Sequence, residues 1–134
     1  MIISKDIKFD CAHMLSRYEG LCSNLHGHTY HGSVTIEAEI EANGMVLDYN
    51  TIKQIISKYD HAVIFSSEEF RDEAENELLA WVVKHSMRRF VIPYGRSTAE
   101  TLASVIAAEF ARYGNVTVAL SETDGSYAEA KVCK

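Results

Sequence analysis

From Tyr30 to Glu41 the chain alternates without a break. Tyr30, Gly32, Val34, Ile36, Ala38 and Ile40 share one parity, and His31, Ser33, Thr35, Glu37, Glu39 and Glu41 the other. Successive side chains of a strand point to opposite faces, so this run specifies a strand with one dry face and one wet face. The opening segment behaves alike: Ile3, Ile7, Phe9, Cys11 and His13 fall on one face, Lys8 and Asp10 on the other. Extending the second strand's parity backwards puts His26 and His28 on its dry face, while His31 lies on the wet one. Ile2 to His13 and His26 to Ala42 therefore read as one long antiparallel hairpin joined through Met14–Leu25. That pairing brings three imidazoles onto a single dry surface.

Burying three imidazoles is unfavourable unless they are hydrogen-bonded or coordinated. Neutral imidazoles bind first-row metals well, and a metal with three protein ligands keeps a position open for chemistry. Cys22 stands four residues before His26, at the mouth of the strand. The chemical reading is a catalytic zinc held by His13, His26 and His28, with Cys22 beside it as a base. Two plainer readings stay open. Each imidazole can be a core histidine with an ordinary partner, or Cys22 can be a fourth ligand that closes the site and makes it structural.

The chain has 134 residues, 47% of them hydrophobic, enough for one compact domain spanning 1–134. Its formal net charge of −6 argues against nucleic-acid binding, which relies on clustered Lys and Arg. The apolar runs are too short to span a bilayer, so no membrane partner is expected. Lys5, Asp6 and Lys8 interrupt the start, where a secretory leader would be apolar. Three cysteines at irregular spacing do not read as a disulfide framework, which suits a reducing cytoplasm.

Asn43-Gly44 is a turn that ends the second strand. Asp48 or Asn50 caps a helix bearing Ile52, Ile55, Ile56 and Tyr59 on one side. Asp60-His61 and an apolar Ala62–Phe65 follow. The acidic stretch from Glu68 to Glu77 reads as a solvated loop leading into a helix, with Leu78, Leu79, Val82 and Val83 inward. Phe90-Val-Ile92 is a short extended piece before a turn at Pro93-Tyr-Gly95. Ser97-Thr-Ala-Glu100 has the form of a capping box. The helix it opens carries Leu102, Val105, Ile106, Glu109, Phe110 and Tyr113, and Gly114 stops it. A last hairpin runs from Val116 to Thr123, turns at Asp124-Gly125 and returns from Tyr127 to Val132. On it Glu122 continues the apolar parity of Val116, Val118 and Leu120, unless the strand frays after Leu120. Buried carboxylates need partners. Two antiparallel pairs with helices on one face make an α+β sandwich.

Several blocks resemble the 6-pyruvoyl-tetrahydropterin and 6-carboxy-tetrahydropterin synthase family over nearly the whole chain. Phe9-Asp-Cys-Ala-His13 is similar to its opening strand motif, and Cys22-Ser-Asn-Leu-His26-Gly-His28 to its Cys-x-x-x-His-Gly-His signature. Met45–Tyr49, Asp60-His61, Ser97–Ala103 and Val118–Thr123 resemble later blocks in order. The Cys-x-x-x-His spacing and the short chain look more like the 6-carboxy branch of queuosine biosynthesis. The resemblance implies the tunnelling fold, a four-stranded antiparallel sheet with helices on one side. It implies trimers that close their sheets into a barrel, two of which stack into a hexamer, with active sites between subunits. It implies His13, His26 and His28 as Zn2+ ligands, Cys22 as catalytic base, and Asp60 and His61 as its relay. Glu122, with Thr123 beside it, would hold the guanidine-like edge of a dihydropterin triphosphate substrate.

The resemblance is not complete. Cys11 stands where the family usually has alanine, Ser97 where it has proline, and Ala-Val-Ile-Phe replaces the pattern after the histidine of Asp60-His61. The mechanism implied is removal of a side-chain proton beside a zinc-bound hydroxyl. A thiolate next to a dication is favoured, which suits Cys22 to that step, and a histidine with a carboxylate partner can pass the proton on. Asp60-His61 has a duller alternative as a cap on the preceding helix. His31 and His85 are assigned to the surface, and Cys133 has no assigned role. Lys5, Arg17 and Arg96 are the candidates for meeting a triphosphate.

Overall fold

The computed structural model describes residues 1–134. Six strands form one sheet in the order β4-β3-β1-β2-β5-β6, comprising β1 (Ile2–His13), β2 (His26–Glu37), β3 (Ala62–Phe65), β4 (Arg89–Val91), β5 (Asn115–Thr123) and β6 (Ser126–Val132). Helices α1 (Tyr49–Ser57), α2 (Glu73–Lys84) and α3 (Ala99–Phe110) connect them. The expected four-stranded antiparallel sheet is present as β1, β2, β5 and β6. It is extended by two short parallel strands, so the count of four is corrected to six. The apolar Ala62–Phe65 docks beside Cys11 and Ala12, and β4 adds to β3. Both pairings are non-local, and neither segment is long enough for its periodicity to announce a strand.

The hairpin has the expected register, with Phe9 opposite Tyr30, Cys11 opposite His28 and His13 opposite His26. Its dry face is buried as parity requires: Ile7, Phe9, Cys11, His13, Tyr30, Val34 and Ile36 are all covered. Strand β2 ends at Glu37 rather than running on to Ala42. Helix α3 buries Leu102, Ala103, Val105, Ile106, Ala107 and Phe110, and α1 buries Ile52 and Ile56. Gly32 is required by packing, because a Cβ there would lie 1.9 Å from the Ala119 carbonyl oxygen on β5. Helix α3 ends at Phe110 and continues as a 3-10 turn, Ala111–Tyr113, which Gly114 stops at φ 154°, where a Cβ would lie 2.3 Å from the Glu37 carbonyl oxygen.

Three local expectations change. Thr98, not Ser97, caps α3, its hydroxyl accepting from Thr101 N–H. Ser97 is buried one residue earlier. In α2 only Val82 of the four expected residues is fully buried, and Val83 is exposed. Within the acidic stretch Glu75 is completely buried, while its neighbours are wet as expected.

Candidate active site

The hairpin register sets the first element of the site. His13 and His26 are cross-strand partners, and His28 follows two residues on along β2, so period-2 geometry aims all three rings at one face. One nitrogen from each ring lies within 4.8 Å of the others. His13 Nε2 and His26 Nε2 are 3.1 Å apart. The opposite nitrogens are both committed: His13 Nδ1 is 2.5 Å from the Ser97 carbonyl oxygen and His26 Nδ1 is 2.7 Å from that of Asn24. A carbonyl only accepts, so both Nδ1 atoms carry the hydrogen, and in the neutral imidazole each Nε2 is then a bare lone pair. Burial pushes the His13 and His28 imidazoles toward the neutral form.

Two lone pairs face to face at that distance repel unless a cation lies between them. His28 Nε2 is also buried without a hydrogen bond. Glu122 Oε1 approaches it to 3.1 Å, but off the line a hydrogen bond needs. Three converging imidazole nitrogens, two of them locked in the ligating tautomer by backbone carbonyls, fit a divalent metal ion. Core histidines with ordinary partners would not leave Nε2 orphaned.

Glu122 stands on the dry face, as the parity of β5 suggested, despite a register shift between Leu120 and Thr123. Its Oε1 lies 3.5 Å from His13 Nε2 and accepts from the Tyr30 hydroxyl at 3.3 Å. Burial and the neighbouring Cys11 and Glu122 raise the Tyr30 phenol well above its usual range, so it stays a donor. Beside the carboxylate, Thr123, Ala99, Glu100, Ser126 and Tyr127 line a small cavity of about 130 Å³. Cys11, next on the same face, is part of the core, its thiol pushed up to about 12 by burial and by Asp10. It packs as a small hydrophobe.

Asp60 and His61 pair at 2.9 Å between Oδ2 and Nδ1. The backbone of β1 holds them: Asp10 N–H donates to Asp60 Oδ1, and His61 N–H donates to the Asp10 carbonyl. His61 adopts φ 58°, a left-handed conformation uncommon outside glycine. The Asp10 amide, and then His61, hold the Asp60 carboxyl below its ordinary range. His61 opens onto a groove of about 430 Å³ that it shares with Asp10, Cys11, Ala12, Gly27, His28 and Thr29. Asp10, Ala12, Gly27 and Thr29 have wet-face parity, and His28 of the triad borders the same groove. Cys22 sits in a short helical turn, Leu21–Ser23, and is half-buried. The structure thus gathers His13, His26, His28 and Glu122, while Asp60 and His61 make no hydrogen bond or ion pair with any of the four. Arg17 and Arg96 are occupied with backbone carbonyls, the first with Glu69 and Arg71, the second with Ser16.

Sequence reasoning missed two participants. Ser97 supplies the carbonyl that orients His13, and its N–H donates to Ser66 Oγ at 2.9 Å, a bond the proline of the family pattern lacks. Glu75 sits behind them both, hidden in a charge run that periodicity cannot resolve.

Comparison with known proteins agrees with this geometry. The sequence profile described as 6-pyruvoyl tetrahydropterin synthase matches residues 2–132. The chain is 36% identical over 113 residues to the 6-carboxy-5,6,7,8-tetrahydropterin synthase of Haemophilus influenzae, covering 78% of this chain and 77% of that one. To the protein of the same description from Bacillus subtilis it is 30% identical over 74 residues, covering 53% and 51%. The solved 6-pyruvoyl tetrahydropterin synthase of Plasmodium falciparum shares its fold with a TM-score of 0.67 at 18% identity, covering 100% of this chain and 98% of that one. No helix is long and apolar enough to cross a membrane. A tunnelling-fold sheet, a histidine triad able to hold a metal and a profile match along almost its whole length place this chain in the 6-pyruvoyl tetrahydropterin synthase family of pterin enzymes.

Proposed function

We propose that the chain is a zinc-dependent 6-carboxy-5,6,7,8-tetrahydropterin synthase, a lyase of queuosine biosynthesis working in the cytoplasm. It would convert 7,8-dihydroneopterin triphosphate to 6-carboxytetrahydropterin, acetaldehyde and triphosphate. The observation that carries the reading is the triad, whose two backbone-locked tautomers aim bare Nε2 atoms at one point. The relatives described as 6-carboxy synthases favour this product over the 6-pyruvoyl one.

In this reading His13, His26 and His28 hold the zinc. When bound, zinc would supply a Lewis acid that acidifies the substrate C–H from which the proton leaves. Cys22 takes that proton as thiolate. Asp60 keeps His61 Nδ1 occupied, so Nε2 is left to pass the proton onward. Glu122 accepts two N–H donors from the pterin edge in a charge-assisted pair, with Thr123 alongside. Tyr30 orients that carboxylate from below. Asp60 and His61 bond to each other and to the β1 backbone, with no hydrogen bond or ion pair to the triad. This separation supports a site completed between subunits of a trimer or a dimer of trimers.

The test is to incubate the zinc-loaded protein with 7,8-dihydroneopterin triphosphate and identify the products. Acetaldehyde released in step with a 6-carboxypterin is the expected result. A 6-pyruvoyl product without acetaldehyde reassigns the reaction, and tight zinc binding without turnover of this substrate leaves only a binding module.

A further inference from the structure

Glu75 is a completely buried carboxylate that no Lys, Arg or His approaches within ion-pair distance, and the proposed chemistry does not use it. A lone buried carboxylate is strongly unfavourable unless hydrogen bonds satisfy it. Both oxygens are taken. Oε1 accepts from the Ser16 hydroxyl at 2.6 Å, and Oε2 accepts from Ser66 N–H at 2.8 Å. The first bond belongs to the start of α2. Asp72 caps the helix by accepting from Glu75 N–H at 2.9 Å. In an ordinary capping box the glutamate would return the favour to the cap residue's N–H. Here the Ser16 oxygen accepts that N–H at 3.1 Å and donates its own proton to Glu75. Capping therefore accounts for one oxygen of the carboxylate, not for the other.

The second oxygen starts a chain of bonds that ends at the triad. Ser66, held by Glu75 through its N–H and by Arg71 through its carbonyl, accepts from Ser97 N–H with its hydroxyl at 2.9 Å. Ser97 in turn accepts from His13 Nδ1 through its carbonyl. Ser66, Ser97 and His13 are all buried. Four residues from four separate segments thus form one relay, Glu75–Ser66–Ser97–His13, that sets where the Ser97 carbonyl stands. We propose that Glu75 is a positioning residue for the metal centre, acting through Ser66 and Ser97 to fix the tautomer and ring orientation of His13. The inference rests on the triad's reading as a metal site.

The experiment measures Co2+ affinity by chelator competition, the visible absorption of the Co2+ form and the melting temperature of the metal-free protein. It compares wild type with Glu75→Gln, Ser66→Ala and Val82→Ala. Glu75→Gln puts an N–H donor where an acceptor is needed, and Ser66→Ala removes only the hydroxyl that holds Ser97. Val82→Ala loosens the buried side of the same helix without touching the relay. Partners one bond behind a ligand typically matter about 10–100-fold in metal affinity. Both relay variants are expected to weaken Co2+ about tenfold or more and to alter its absorption bands. Val82→Ala should lower the melting temperature while leaving affinity and spectrum unchanged. Unaltered affinity and spectrum in Ser66→Ala overturn the proposal even if Glu75→Gln does not fold. Equal losses in Val82→Ala at a matched drop in stability overturn it too. A wild type with no Co2+ affinity sinks the metal-site reading itself and this proposal with it.

Discussion

His13 and His26 face each other across the β1–β2 ladder with their Nε2 atoms 3.1 Å apart, each ring turned by a backbone carbonyl on its far side. Tetrahedral zinc with bonds of about 2.0–2.1 Å separates its ligand nitrogens by roughly 3.4 Å, so little movement is needed to admit the ion. Zinc at a hundredfold excess over Kd should stabilise the fold by about 2.7 kcal/mol, or roughly 10 °C in Tm. His26→Ala should abolish that shift. A calorimetric scan with and without zinc checks both, and an equal shift in the variant would mean that zinc binds elsewhere.

Cys22→Ala should keep the metal and lose turnover. Removing a general base lowers rates by about 10²–10⁴. Zinc content and acetaldehyde release, measured on the same sample, decide it. If zinc leaves with the thiol, Cys22 is a ligand and the site is closed.

Glu122→Gln retains the shape of a side chain that touches His28, His13 and Tyr30, but its amide nitrogen donates, so it cannot accept an N–H on each terminal atom. Losing a charged hydrogen bond is worth about 1.5–3 kcal/mol, so KM for the pterin should rise roughly 10–100-fold with metal affinity unchanged. Steady-state kinetics and chelator titration separate the two readouts. A fall in metal affinity instead would make the carboxylate a ligand.

Asp60 makes the fold's stability respond to acid. The Asp10 amide and His61 hold its carboxyl below the ordinary range, so the folded chain binds that proton less tightly than the unfolded one. Its contribution is complete above the unfolded value of about 3.9 and fades as pH falls through the lower folded value. Asp60→Asn should therefore be less stable than wild type by a constant margin from pH 7 to about pH 5, and the margin should close below. Urea midpoints at a series of pH values measure it, and a margin that widens in acid would contradict the assignment.

Gly32→Ala should be among the most damaging single-methyl changes in the chain. Its Cβ would sit 1.9 Å from the Ala119 carbonyl oxygen and 3.1 Å from Leu120 Cα, so β2 and β5 must part. Overpacking of this kind amounts to about 3 kcal/mol. Denaturant unfolding tests it; a loss within about 0.5 kcal/mol would show that the two strands give way easily.

What the amino-acid order determined by itself was the periodic part. Alternation along β1 and β2 is a local property of extended backbone, so the shared dry face of His13, His26 and His28 was legible, as was the last hairpin with Glu122 on it. Asp48's cap, the Asn43-Gly44 turn and the glycine stop at Gly114 were legible for the same reason: each depends on a few neighbouring residues. Tertiary structure alone decided what depends on segments distant in the chain. Short apolar Ala62–Phe65 and Arg89–Val91 become strands because an open sheet edge receives them. Ser97 leaves the cap to Thr98 because its N–H and carbonyl are claimed by Ser66 and His13. Glu75 turns inward from an acidic surface run because Ser16 and Ser66, 59 and 9 residues away, converge where its oxygens can be satisfied. Periodicity records which way a side chain points; only packing determines which partner waits there.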